Sequence, residues 1–136
     1  MDKNTLTVLV IEDEELLLQA ISRKLEINNI KAIATKSGKE ALEILNSLKK
    51  APDAIWLDYY LKDMNGLEFM CYVKKNEKYS KIPTIVVSNS ASPEKVKTMM
   101  TLGVKKYYLK AESKLDDIIE QVKKTIYEEK NGNANK

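Results

Sequence analysis

Apolar positions along this chain fall into two rhythms. Short, nearly continuous apolar runs occupy Leu6–Ile11, Ile30–Thr35, Ala54–Leu57 and Pro83–Ser88, and a fifth at Lys105–Lys110 is apolar at Tyr107, Tyr108 and Leu109. Such runs are too brief for helices and suit strands buried on both faces. Between them the spacing becomes helical. Leu17, Ile21 and Leu25 form one apolar face, and Ala41, Leu42, Ile44, Leu45 and Leu48 form a second. Leu67, Phe69, Met70 and Val73 form a third, and Leu115, Ile118, Ile119, Val122 and Ile126 the last. Stop and start signals agree with these segments. Asn28-Asn29 ends the first helix, Ser37 and Glu40 make a capping box, Pro52 closes the second helix, and Asn65-Gly66 turns into the third. Ser92 before Pro93 opens a further helix that ends at Gly103.

Five strands thus alternate with five helices, with no repeat and no internal linker. Right-handed crossovers turn that alternation into a parallel sheet with helices on both faces. Periodicity leaves the strand order open. Residues 131–136 have almost no apolar content and are expected to form a disordered tail, which puts the folded domain at 1–130.

Composition narrows the function. A chain of 136 residues suits one domain with a proper core. The first apolar run ends in acid, unlike a secretory signal or a membrane span. A single cysteine, Cys71, fits a reducing cytoplasm, the expected location. Lys and Arg exceed Asp and Glu only by 23 to 20, which gives no ground for nucleic-acid binding. There is no histidine, so catalysis or metal binding through imidazole is excluded.

The candidate chemistry lies where strands end. Glu12-Asp13, Asp58, Ser88 and Lys110 each finish or follow a predicted strand. In a parallel sheet those ends share one edge, the edge where open α/β sheets bind ligands. Taken singly, each has a plainer reading: helix-capping acids, a loop carboxylate, a strand-end serine, a solvated lysine, and for Tyr107 a core aromatic. Their joint placement carries the functional reading. Adjacent strand ends are about 5 Å apart, and two carboxylates 4 Å apart repel by about 4 kcal/mol at an effective dielectric near 20. Lys110 offsets part of this. A divalent cation with few all-oxygen ligands, Mg²⁺ with retained waters, is the natural complement.

With these residues at these intervals, the chain resembles a response-regulator receiver domain of two-component signalling over essentially its whole length to the tail. The resemblance implies a flavodoxin-like, doubly wound sheet of order 2-1-3-4-5. It implies Asp58 as phosphoacceptor, with Mg²⁺ held by Asp13, Asp58 and the Tyr60 backbone carbonyl, and by Glu12 through water. Lys110 and Ser88 would stabilise the phosphoryl group, and Ser88 and Tyr107 would act as the switch. Tyr60 and Ser90, two residues past Asp58 and Ser88, would tune the phosphoryl lifetime. Gly66 matches the family glycine after the acceptor loop. The donor would be a sensor histidine kinase or a histidine phosphotransfer protein. The output protein would bind the face formed by the fourth helix, fifth strand and fifth helix. A monomer or weak phosphorylation-linked dimer is implied, with no nucleic acid or membrane bound directly, and no turnover of an external substrate. On the output face Lys95, Lys97, Lys105 and Lys106 outnumber the single acid Glu94, which suits an acidic partner.

Three departures from the family pattern stand out. Ala111 follows Lys110 where proline is usual, so a trans bond is expected there. Tyr60 and Ser90 stand where the family varies its access to water, and Asn89 replaces a smaller residue, narrowing the expected donor opening. A degenerate receiver serving only as a docking module is the alternative. An aspartate-nucleophile phosphatase would resemble a pattern with a second Asp where Tyr60 stands. A flavin-binding protein would need a phosphate loop where Glu12-Asp13-Glu14-Glu15 would repel phosphate.

Overall fold

The computed structural model describes residues 5–134. Its strands are β1 (Leu6–Ile11), β2 (Ile30–Thr35), β3 (Ala54–Leu57), β4 (Thr84–Ser88) and β5 (Lys106–Leu109). Its helices are α1 (Glu15–Ile27), α2 (Gly38–Ser47), α3 (Gly66–Lys75), α4 (Pro93–Thr101) and α5 (Leu115–Ala134), with a short 3₁₀ turn at Lys110–Glu112. All strand pairs are parallel, in the order β2-β1-β3-β4-β5. This is the doubly wound, flavodoxin-like sheet the resemblance implied.

Two cores form because successive side chains leave opposite faces of each strand. Leu9, Ile11, Ile55, Leu57 and Val86 face α2, α3 and α4, where Ala41, Leu45, Phe69, Met70, Val73 and Met99 meet them. Val8, Val10, Trp56, Ile85 and Val87 face α1 and α5, against Leu18, Ile21, Leu25, Ile118, Ile119, Val122 and Ile126. With both faces covered, the central strands have no solvent side, and their unbroken apolar runs follow from that.

Local chemistry sets the helix starts near the site. Asn65 and Glu68 form a reciprocal capping box at the start of α3. Ser37 accepts from the Glu40 N–H at α2, and Ser92 from the Lys95 N–H at α4. Asp63 reaches back from the β3–α3 loop to accept from the backbone N–H groups of Gly38 and Lys39, at 3.0 and 2.9 Å. Burial pushes the Asp63 carboxyl up, but these N–H donors outweigh it and hold it below the ordinary carboxylate value. Gly66 lies so close to Tyr59 that an added Cβ would stand 2.9 Å from its ring. Gly103, at φ +98°, supplies the left-handed residue that ends α4.

Three details differ from the sequence reading. On α1 the buried face runs through Leu18, Ile21 and Leu25, with Leu17 only half-buried, because the helix turns its core face one residue on. Lys110 leaves the sheet: β5 ends at Leu109, its pairing partner being Ser88, and the chain tightens into the 3₁₀ turn. The segment expected as a tail continues α5 through Ala134, since no proline interrupts a helix already docked through Ile126. Asn135 and Lys136 lie outside the described residues. Lys110–Ala111 is trans as expected, with no cis peptide among the described residues.

Candidate functional site

The site is built by the carboxyl ends of β1, β3, β4 and β5. Asp58 N–H donates to the Ile11 carbonyl at 3.0 Å, so Asp58 sits beside Glu12 at the end of β1. Glu12 in turn is fixed by its own N–H on the Thr35 carbonyl at 3.0 Å. Glu12, Asp13 and Asp58 each bring a carboxylate oxygen within 4.8 Å of the others. The strand-end prediction of a converging acidic cluster is therefore met in the fold.

Lys110 lies between two of these acids. Its Nζ is 2.8 Å from Glu12 Oε1 and 3.2 Å from Asp58 Oδ2, with its side chain only 15% exposed. Glu12 also braces the loop: its other oxygen accepts from the Glu14 N–H at 3.0 Å. Burial weakens the Lys110 ammonium, but Glu12 and Asp58 outweigh it and raise its pKa above the ordinary lysine value. Asp58 moves the other way from a typical paired acid. Burial, then repulsion from Glu12, pushes it up from 3.8 to about 7, against the opposing pull of Lys110. One ammonium does not balance three carboxylates.

That imbalance is the fit test for a cation. The donor set is hard, all oxygen and partly buried, as a Mg²⁺ site requires. The Tyr60 carbonyl, the fourth ligand implied by the resemblance, is spared by the turn. Tyr60 and Asn65 form an isolated bridge closed by Gly66 N–H on Tyr59 and Leu61 N–H on Met64. Tyr60 N–H itself points back to Asp58 Oδ1 at 3.3 Å.

Ser88 ends β4 fully buried, and its hydroxyl accepts from the Ser90 N–H at 3.3 Å. On β5, Tyr107 is half-buried and its hydroxyl donates to the Ser90 carbonyl at 2.8 Å. Burial chiefly, with the charge of Asp58 contributing, raises the Tyr107 phenol above its ordinary value. Ser88, Ser90 and Tyr107 thus converge on one loop between β4 and α4.

One participant was missed by sequence reasoning. Lys95, in the first turn of α4, hydrogen-bonds the Tyr60 hydroxyl. Its Nζ stands 4.4 Å from the Tyr60 ring centre and 4.7 Å from that of Tyr59. Ser90 Oγ donates to the same Tyr60 hydroxyl at 3.2 Å. The available signal was a lysine three residues after the Ser92 cap, where a helix favours acid. Of the other output-face lysines, Lys105 is paired with Glu129 at 2.8 Å. Lys97 and Lys106 are exposed, with no ion pair among the described residues.

The family model for the response regulator receiver domain matches residues 8–123. The chain belongs to the response-regulator receiver family. Curated relatives of this receiver domain include two-component response regulator ORR8 of Oryza sativa subsp. indica, 32% identical over 103 residues, spanning 76% of this chain and 84% of the relative. Two-component response regulator ORR12 of Oryza sativa subsp. japonica is 31% identical over the same shares. Among solved structures, a CheY-like receiver domain protein from Methanospirillum hungatei JF-1 superposes with a TM-score of 0.85 at 20% identity, covering 95% of this chain and 99% of that one. The receiver domain of Francisella response regulator 1452 gives 0.80 at 26% identity, covering 89% and 96%. The first of these likenesses is one of fold alone. Among the described residues of the receiver domain, no helix is long and apolar enough to cross a membrane.

Proposed function

We propose that this receiver domain is a phosphorylation-controlled switch that takes a phosphoryl group from a partner's phospho-histidine onto Asp58. The observation that carries the reading is the buried Glu12–Lys110–Asp58 arrangement, with Asp13 beside it, at the carboxyl edge of the sheet. The Asp58 carboxylate oxygen attacks phosphorus while the bond from phosphorus to the donor nitrogen breaks, leaving an aspartyl-phosphate and a neutral histidine on the partner. The donor comes from another molecule because this chain has no histidine.

The chain's own residues do the positioning. Lys110 holds a positive charge beside the acceptor oxygen, where charge on the transferring group collects. The Ser88 hydroxyl, now held by the Ser90 N–H, is available to turn toward a phosphoryl oxygen. Tyr107, tied to the Ser90 carbonyl, follows that loop and carries its position to the α4–β5–α5 face. Asp13, Asp58 and the Tyr60 carbonyl would hold Mg²⁺, with Glu12 acting through water. The ion would neutralise charge on the phosphoryl oxygens when bound. The domain assists its own phosphorylation and dephosphorylation without turning over an external substrate. A docking module that dispenses with phosphorylation has no need for Asp58, Asp13 and Lys110 together.

Labelling with acetyl phosphate or a phospho-histidine donor should require Mg²⁺ and give one alkali-labile adduct. Asp58→Ala should abolish it while far-UV circular dichroism stays unchanged. An alanine variant that labels as well as the parent would show the acceptor to be elsewhere.

A further inference from the structure

We propose that Lys95 is the latch of a lid over Asp58, setting how fast a phosphoryl group arrives and leaves. The inference rests on Asp58 being the acceptor and adds a residue and a moving part to that reading. Asp58 is only 4% exposed and Ser88 not at all, so a donor has to open the edge before it reaches the acceptor. The way in runs between the loop after β3 and the loop after β4. The Ser90–Tyr60 hydroxyl contact spans that gap at 3.2 Å.

Lys95 fastens the span. Its ammonium engages the Tyr60 hydroxyl and packs against the rings of both Tyr59 and Tyr60, at 4.7 and 4.4 Å from their centres. Lys95 is half-buried, whereas Lys97 two residues on is exposed, so its placement is not that of an ordinary solvated lysine. Nor does the helix favour it. A cation in the first turn opposes the helix dipole, and the Ser92 hydroxyl caps the Lys95 N–H without help from the lysine side chain. What Lys95 gains is the Tyr60 hydroxyl edge and the neighbouring Tyr59 ring. Tyr59 is itself buried beneath Gly66, so the latch grips a fixed point on one side and α4 on the other.

The chemical consequence concerns water as well as donor. Loss of the phosphoryl group needs a water oxygen to bond to phosphorus as the bond from phosphorus to the Asp58 carboxylate oxygen breaks. The products are the Asp58 carboxylate and inorganic phosphate, and the proton of water leaves with the phosphate or the solvent. A closed lid slows that attack and slows labelling alike. A partner that draws α4 outward withdraws Lys95 and shortens the signal; one that presses α4 inward prolongs it.

The test uses the full chain, acetyl phosphate and Mg²⁺, comparing the parent with Lys95→Ala and Lys95→Arg. Lys95→Ala should raise both the labelling rate and the rate of label decay about fivefold, the loss of an exposed cation–aromatic contact. Lys95→Arg keeps the aromatic contact and should stay near the parent. Without any phosphodonor, hydrogen exchange at the Ser90 amide should rise in Lys95→Ala alone. Rates and exchange that match the parent would overturn the lid. So would faster decay with slower labelling, which would mean that Lys95 attracts the donor's charge instead. A parent that takes no label overturns the acceptor reading and the lid with it, whereas a labelled parent with unaltered variants overturns the lid alone.

Discussion

The floor and the cover of this site are held by different physics. The floor, formed by Glu12, Asp58, Ser88 and Lys110, hangs on strand ends whose backbone bonds to Ile11 and Thr35 leave little freedom. Its charges are buried and mutually dependent, so removing one alters the cost of keeping the others. The cover, formed by Tyr60, Ser90 and Lys95, comes from two loops and a helix start, with Tyr60 47% exposed. Each of its contacts is worth about 1 kcal/mol or less. A site arranged this way keeps its reacting groups fixed while its entrance moves at small cost.

The largest effect should come from breaking the floor. Lys110→Met leaves Glu12 buried without its cation, and uncompensated buried charge costs about 3–5 kcal/mol. Urea denaturation at neutral pH should show that loss together with a collapse of labelling. A variant as stable as the parent would mean that the floor tolerates charge as readily as the cover does.

Asp58 should show the opposite sign. Its folded pKa is raised from 3.8 to about 7, so the native state binds a proton more tightly than the unfolded chain. Stability contributed by that proton is present below about pH 4 and is lost as pH rises through about 7. With a chelator present, Asp58→Asn should therefore become more stable than the parent as pH climbs through this window, by on the order of 2–4 kcal/mol above it. Mg²⁺ should shrink the difference. Thermal melts from pH 4 to 8 would decide it, and a gap that does not grow with pH would refute the strained carboxylate.

The cover should give the smallest response. Tyr60→Phe removes the hydroxyl shared by Ser90 and Lys95 but keeps the ring beside the ammonium and leaves its contact with Tyr59. Stability should change by no more than about 0.5 kcal/mol, while label decay should quicken by less than in Lys95→Ala. A stability loss comparable to that of Lys110→Met would erase the distinction between cover and floor.

The same division explains what could be read from the sequence. Asp58, Glu12 and Ser88 were legible because apolar runs end on them, and a parallel sheet sends such ends to one edge. Lys110 was legible by position, although the chain has already left the sheet there. Strand order was not legible from periodicity, since every buried strand obeys the same rule; it came from the family resemblance. Lys95 was read only as one of the output-face lysines, because its two aromatic partners precede it by more than thirty residues and no periodicity links them. The length of α5 was misread because composition at 131–134 reports solubility, while the helix is propagated from the docked turns before it.

The Asp63 cap has a consequence for inheritance by parts. Asp63 completes the N-terminus of α2 through Gly38 and Lys39, and a side chain at Gly38 would run into Met64. The acceptor loop and the start of the second helix therefore form one unit, though about twenty-five residues separate them. A chimera that takes its acceptor loop from one receiver and its second helix from another inherits half of that unit from each parent. Crossover points that keep residues 37–39 and 63–64 from the same parent preserve it; those that part them leave the Gly38 and Lys39 N–H groups without the Asp63 carboxylate, beside the loop that carries the acceptor.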